Sequence, residues 1–320
     1  MNISTLISIW QNLQKNPLKV DILILLSSEE EARECYNYAK FFFSSELVLF
    51  LPSEDCLPYD RLSSSSSIIC TRSCILTKLA QKRSPVILIT CAINLLHKYI
   101  PKNLIEKQYF KIYTNQTISP FSLEKLLIKN NYVKTPVAID AGDFSAKCDI
   151  IDIVTADCKG FRINFEWDRI HKIKLFDNES QISSDIVEEV EIYPASNLQL
   201  NDETIENFRN KYLTNFGISR MNEVIFEKIS NNIKPEAVEN FAPIFYKTNV
   251  DLVSYLDNPE IYLSQYAKNS IEEKYKEIED FYHARITSVD FFPAFSPESL
   301  YYSPLIVNKL IGQNNILKKE

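Results

Sequence analysis

Apolar residues follow two different periods along this 320-residue chain, and the places where the period changes mark its organisation. Ile3, Leu6, Ile7, Trp10 and Leu13 recur at helical spacing, which predicts an amphipathic N-terminal helix ended by Pro17. Continuous apolar runs follow at 20–26 (VDILILL), 46–52 (ELVLFLP) and 86–90 (VILIT), the signature of strands buried on both faces. Between them, helices are predicted over 28–42, opened by Ser28 and the acidic Glu29 to Glu31, and over 68–81. Strand and helix in alternation predict a parallel α/β lobe.

From about Phe110 the pattern becomes short and alternating: KIYT, then 149–154, 161–167, 170–176 and 187–193. That predicts a small antiparallel sheet with one helix, 122–129, packed on it. Beyond it, helices are predicted over 202–216, 219–231 and 271–285, and the stretch from FAPIFY to SYL offers a further strand. The expected fold class is therefore α/β: a parallel lobe over 1–115, interrupted by an α+β unit over 116–196, and completed with helices over 197–320.

Glycine changes this picture most, because only four occur: Gly142, Gly160, Gly217 and Gly312. No two are close enough to form a phosphate loop or a GxGxxG turn, which need several amides to approach a phosphate without Cβ interference. The net charge of −7 disfavours a long nucleic-acid track, so weak or no direct nucleic-acid binding is expected. Seven cysteines in a large chain fit reduced thiols better than a disulfide framework. The opening lacks a basic segment before Lys15, and no apolar run approaches the roughly 20 residues of a bilayer span. A cytoplasmic protein without membrane attachment is expected.

No catalytic, cofactor or metal site emerges. Cys70 and Cys74 sit four apart without CxxC knuckles, and His97, His171 and His283 are scattered, so buried thiols are the better account. The serine tract 63–67 lacks a G-x-S-x-G elbow, and Glu188, Glu189 and Glu191 read as a wet strand edge. The hairpin at 161–176 is more informative. A three-residue loop at Trp167 to Arg169 puts Phe161, Ile163, Phe165, His171, Ile173 and Leu175 on the core face. Arg162, Asn164, Glu166, Ile170, Lys172 and Lys174 then face outward, three bases against one acid, a surface suited either to an acidic partner or to plain solvation.

Several ordered pieces resemble the N-terminal, UvrB-like module of the bacterial transcription-repair coupling factors, the Mfd family. They are LPYDR at 57–61, GDF at 142–144, IIDI at 150–153, the series Arg162, Phe165, Asp168, Ile170, Ile173, Phe176 and Asp177, YPA at 193–195, FR at 208–209, and Pro243 with Phe245. The resemblance implies a degenerate helicase-like lobe carrying an inserted UvrA-interaction domain. It also implies a non-catalytic role: recruiting UvrA to stalled transcription in nucleotide excision repair, together with the translocase and RNA polymerase-binding part of a coupling factor.

By position, the family's UvrA contacts fall on Lys147, Arg162 and Glu166, with Lys172 and Lys174 extending the charge. Lys147 keeps a cation but lacks the planar guanidinium fork, and Glu166 stands where the family has an aromatic anchor. Losing such an anchor costs about 2 kcal/mol or more. The alternative expectation is therefore a split or shortened module that masks a separate translocase half and does not bind UvrA. Translocase motifs are absent from these 320 residues, so no ATP hydrolysis is expected of them.

Overall fold

The computed structural model describes residues 6–11, 18–44, 46–221, 223–289, 291–313 and 315–317. Of the predicted N-terminal helix, residues 6–11 are helical, whereas Ile3 and Leu13 lie outside the described residues. The strands are β1 (Ile22–Leu26), β2 (Val48–Leu51), β3 (Ile87–Cys91), β4 (Phe110–Tyr113), β5 (Val133–Lys134), β6 (Asp143–Lys147), β7 (Ile150–Val154), β8 (Gly160–Glu166), β9 (Arg169–Phe176), β10 (Ser183–Val187), β11 (Glu189–Ile192), β12 (Glu260–Leu263) and β13 (Asn315–Leu317). Among the described residues, the helices of ten residues or more are α1 (Glu29–Phe42), α2 (Ser66–Gln81), α3 (Pro120–Lys129), α4 (Asp202–Phe216), α5 (Ala267–Ile286) and α6 (Pro304–Gln313). This is a mixed α/β chain with parallel and antiparallel sheets.

It divides into two compact units: 1–63 with 82–101 and 200–320, and 64–81 with 102–199. In the first, five parallel strands run in the order β13-β12-β1-β3-β2. Every residue of β1, β2 and β3 is buried, as their unbroken apolar runs require. Only a two-residue connection, Ser27 and Ser28, separates β1 from α1, and the Ser28 side chain caps the helix by accepting from the Glu31 amide. Ala32, Cys35 and Ala39 turn the inner face of α1 onto the sheet.

The expected strand within FAPIFY to SYL is not there. Residues Val238–Phe245 form two 3-10 turns separated by a kink at Phe241, the second containing Pro243, and the strand comes later, at β12. Proline has no amide to give a central ladder, which explains the shift. The helix expected over 219–231 is shorter, Val224–Ser230, preceded by a single 3-10 turn.

In the second unit six strands run in the order β10-β9-β8-β7-β6-β5, antiparallel except for β5 with β6. A separate two-stranded ribbon pairs β4 with β11. The run at 187–193 is thus two strands rather than one: Val187 still pairs with Ile173 of β9, and after Glu188 the chain changes partner to β4. Leu123 and Leu127 of α3 and Cys70 and Cys74 of α2 join Phe144, Ile151, Ile153, Phe161, Ile163, Phe165 and Ile173 in one core. Each fully buried large aliphatic or aromatic side chain there contributes about 1.5–3 kcal/mol. Burial pushes the Cys74 thiol up to about 12, and the Cys70 thiol donates to the Ala141 carbonyl, so both behave as packing residues.

Gly142 belongs to this packing. Its φ is +88°, and a Cβ there would meet Cys70 Sγ at 3.0 Å and the Ala195 Cβ at 3.1 Å.

Candidate functional site

In the first unit, backbone amides beyond the ends of β1 and β2 are taken by carboxylates of α1. Where β1 meets α1, the Ser27 amide donates to Glu31 Oε2 (3.2 Å) and the Ser53 amide donates to Glu29 Oε2 (2.9 Å). Carboxylates of the chain itself therefore take amides at the end of the parallel sheet where an anionic ligand would otherwise be held. A cleft near the ends of β2 and β3, lined by Glu54, Cys56, His97, Asn240, Lys274 and Tyr301, encloses about 40 Å³. That is room for water, far below the roughly 300 Å³ of a small-molecule pocket.

The outer face of the six-stranded sheet is the better candidate. Register aligns Lys147, Ile150, Asn164 and Lys172 across four strands in one row, and Ser145, Asp152, Arg162, Lys174 and Ile186 across five in the next. Rows two residues apart lie about 7 Å from each other, so Lys147, Arg162, Lys172 and Lys174 share one patch. Lys147 is exposed, Lys172 and Lys174 are half-buried, and none of the three lysines makes an ion pair among the described residues.

Arg162 differs from the lysines. Its Nε donates to Asp152 Oδ1 (2.7 Å) and its Nη2 to Asp152 Oδ2 (2.9 Å), a bidentate pair between neighbouring strands. Nη1 donates to the Gln181 carbonyl (3.3 Å) and to Ser183 Oγ (3.0 Å), and the guanidinium lies 5.3 Å from the Phe176 ring centre. The hydrogen bond to Asp152 raises the Arg162 pKa further above its ordinary value. The guanidinium acts as an internal clamp joining β7, β8 and the segment entering β10.

The hairpin is built differently from the alternation reading. Its inner register holds, with Ile163 opposite Ile173 and Asn164 opposite Lys172, but Phe165 then pairs with Ile170 and Glu166 with Arg169. The loop is therefore two residues, Trp167 and Asp168, and His171 is the extra residue of a bulge. One extra residue exchanges the faces: Ile170 is fully buried in the core, whereas His171 is exposed. Burying the aliphatic Ile170 in place of an imidazole is the driving force. Glu166 lies near the tip with its side chain 70% exposed, 3.7 Å from Nδ1 of His171.

Asp152 is the residue that alternation alone leaves out. With β7 and β8 paired, IIDI at 150–153 sets Asp152 directly opposite Arg162, so the paired patterns together carried that signal.

A family model described as the UvrB interaction domain matches residues 110–198, the stretch that forms most of this unit. Transcription-repair-coupling factors from Rickettsia bellii and Rickettsia prowazekii are 37% and 38% identical over 305 and 312 residues. Over most of its length, the chain is similar to the N-terminal region of transcription-repair-coupling factors. The two alignments cover 93% and 96% of this chain but 27% and 28% of those relatives, so the chain spans under a third of a coupling factor's length. The Escherichia coli coupling factor is more distant, 23% identical over 205 residues, covering 64% of this chain and 18% of its own.

Proposed function

We propose that this chain is a non-catalytic interaction module that recruits UvrA to stalled transcription in nucleotide excision repair, acting with the translocase and RNA polymerase-binding parts of a coupling factor. The observation that carries the reading is the coincidence of the match to the UvrB interaction domain model with a sheet face bearing Lys147, Lys172 and Lys174, which make no ion pair among the described residues. We read the unit holding the parallel sheet as a degenerate helicase-like scaffold, with Glu29 and Glu31 standing in for a nucleotide's phosphates. A cytoplasmic location, no cofactor and little direct contact with nucleic acid accompany this reading.

A second reading, a masking fragment without UvrA affinity, is favoured by the exposed Glu166 near the hairpin tip and by the commitment of Arg162 to Asp152. The two readings separate in one experiment. Calorimetric titration of cognate UvrA at low salt is expected to show binding by the wild type. The Lys147→Glu, Lys172→Glu, Lys174→Glu triple variant should lose more than tenfold in affinity with its thermal unfolding unchanged, since like charges across an interface are strongly unfavourable. Added salt should weaken the wild type progressively. Absence of wild-type binding, with association to a separately supplied translocase half, would establish the masking reading instead.

A further inference from the structure

Trp167 is held in a way that the fold itself does not require. It occupies the first position of the two-residue β8–β9 loop with φ of +56°, a left-handed conformation that glycine, asparagine or aspartate adopts with far less strain than a bulky side chain. Trp167 is 89% exposed, and among the described residues its indole makes no hydrogen bond, ring stack or cation contact. Backbone strain and a bare indole in water are both unfavourable, and no contact among the described residues compensates for either.

The pedestal beneath it is firm. Glu166 pairs with Arg169 to close the loop, and the chain at 115–118 grips the outer side of the same turn. The Ile118 amide donates to the Asp168 carbonyl (2.9 Å), the Ile170 amide to the Gln116 carbonyl (3.0 Å), the Asn115 amide to the Ile170 carbonyl (2.8 Å), and Arg169 Nε to the Asn115 carbonyl (3.0 Å). A large aromatic on a rigid tip loses little conformational freedom when it is buried by a partner, which is the physics of an interface hot spot.

We propose that Trp167 is the aromatic anchor of the lysine-bearing face, inserted on docking into an apolar pocket of an acidic protein surface. The acidity answers Lys147, Lys172 and Lys174. Glu166 and Asp168, flanking the indole, call for a hydrogen-bond donor at the pocket's rim. The proposal rests on the recruiting role above, with UvrA as the partner, and adds to it the residue that supplies most of the apolar contact.

Calorimetric titration of cognate UvrA with the wild type, Trp167→Asn, Trp167→Ala and Trp167→Phe tests it, each variant being melted in parallel. Asn and Ala should weaken binding about thirtyfold and Phe by only a few fold. Trp167→Asn should melt at the wild-type temperature or above it, because asparagine tolerates the left-handed backbone. Wild-type binding that Trp167→Asn retains within threefold would overturn the anchor and leave the recruiting role standing. A loss of affinity accompanied by a lower melting temperature would also overturn it, by assigning Trp167 to the fold. Absence of wild-type binding would remove the recruiting role and the anchor together.

Discussion

Replacing Asp21 by alanine is expected to destabilise the unit built on the parallel sheet by about 3–5 kcal/mol, the largest stability effect of any single substitution considered for it. Asp21 is fully buried just before β1. Its Oδ1 accepts from the Val86 amide (2.9 Å) ahead of β3, and its Oδ2 accepts from the Asp257 amide (2.5 Å) ahead of β12 and from Lys82 Nζ (2.8 Å). One carboxylate thus ties together the starts of three adjacent strands. Alanine would leave two amides and a nearly buried ammonium without it, and the loss of a buried partner costs more than the pair contributes.

Lys82 adds a pH signature. Burial lowers its pKa, but hydrogen bonds to Asp21 and Asp257 outweigh that and raise it overall. A group whose folded pKa is raised contributes its stability in full below its unfolded pKa, about 10.4, and loses it as the pH rises through the folded value. Urea unfolding of the wild type should therefore weaken above about pH 10.4. Asp21→Ala should remove part of that alkaline slope. A change below about 1 kcal/mol on Asp21→Ala would contradict the tie between strands.

Arg162→Ala is the second large effect, about 2–4 kcal/mol in the unit containing the antiparallel sheet, discounted from the fully buried case because about a quarter of the side chain remains exposed. The cause is Asp152, which would be left nearly buried with no bidentate partner. Arg162→Lys should fall between, keeping the charge and losing the fork. This bears directly on function, because weaker UvrA binding by Arg162→Ala has two possible origins. The Arg162→Ala, Asp152→Ala double variant separates them: it should regain much of the lost stability. Binding that returns with stability makes Arg162 a positioning residue. Binding that stays lost with the fold restored makes it a contact, contrary to the geometry.

Local signals carried most of the fold. Unbroken apolar runs at 20–26, 46–52 and 86–90 placed three of the five parallel strands, β1, β2 and β3 but not β12 or β13, and Ser28 followed by three glutamates marked the start of α1, because both effects act within one element. What escaped depends on partners far along the chain. The tie at Asp21 joins residues 65 and 236 positions away. The break at Glu188 reflects a change of pairing partner, which a continuous β pattern does not reveal. The bulge at His171 exchanged two faces because a rule of strict alternation cannot count an extra residue near a turn, although the contrast between Ile170 and His171 was there to be weighed. On the candidate site, Lys172 and Lys174 were legible as outward-facing from the alternation of β9, whereas Lys147 was indicated only by the resemblance. The role of Arg162 was not, because it needs the β7–β8 register that brings Asp152 beside it.

The central claim is that the outer face of the six-stranded sheet meets UvrA, and amide hydrogen exchange of the intact chain with and without saturating UvrA tests it most directly. Slowed exchange confined to β6, β8, the hairpin tip and β9 is the predicted result. Unchanged exchange in those segments, or protection only over the parallel sheet, would contradict it.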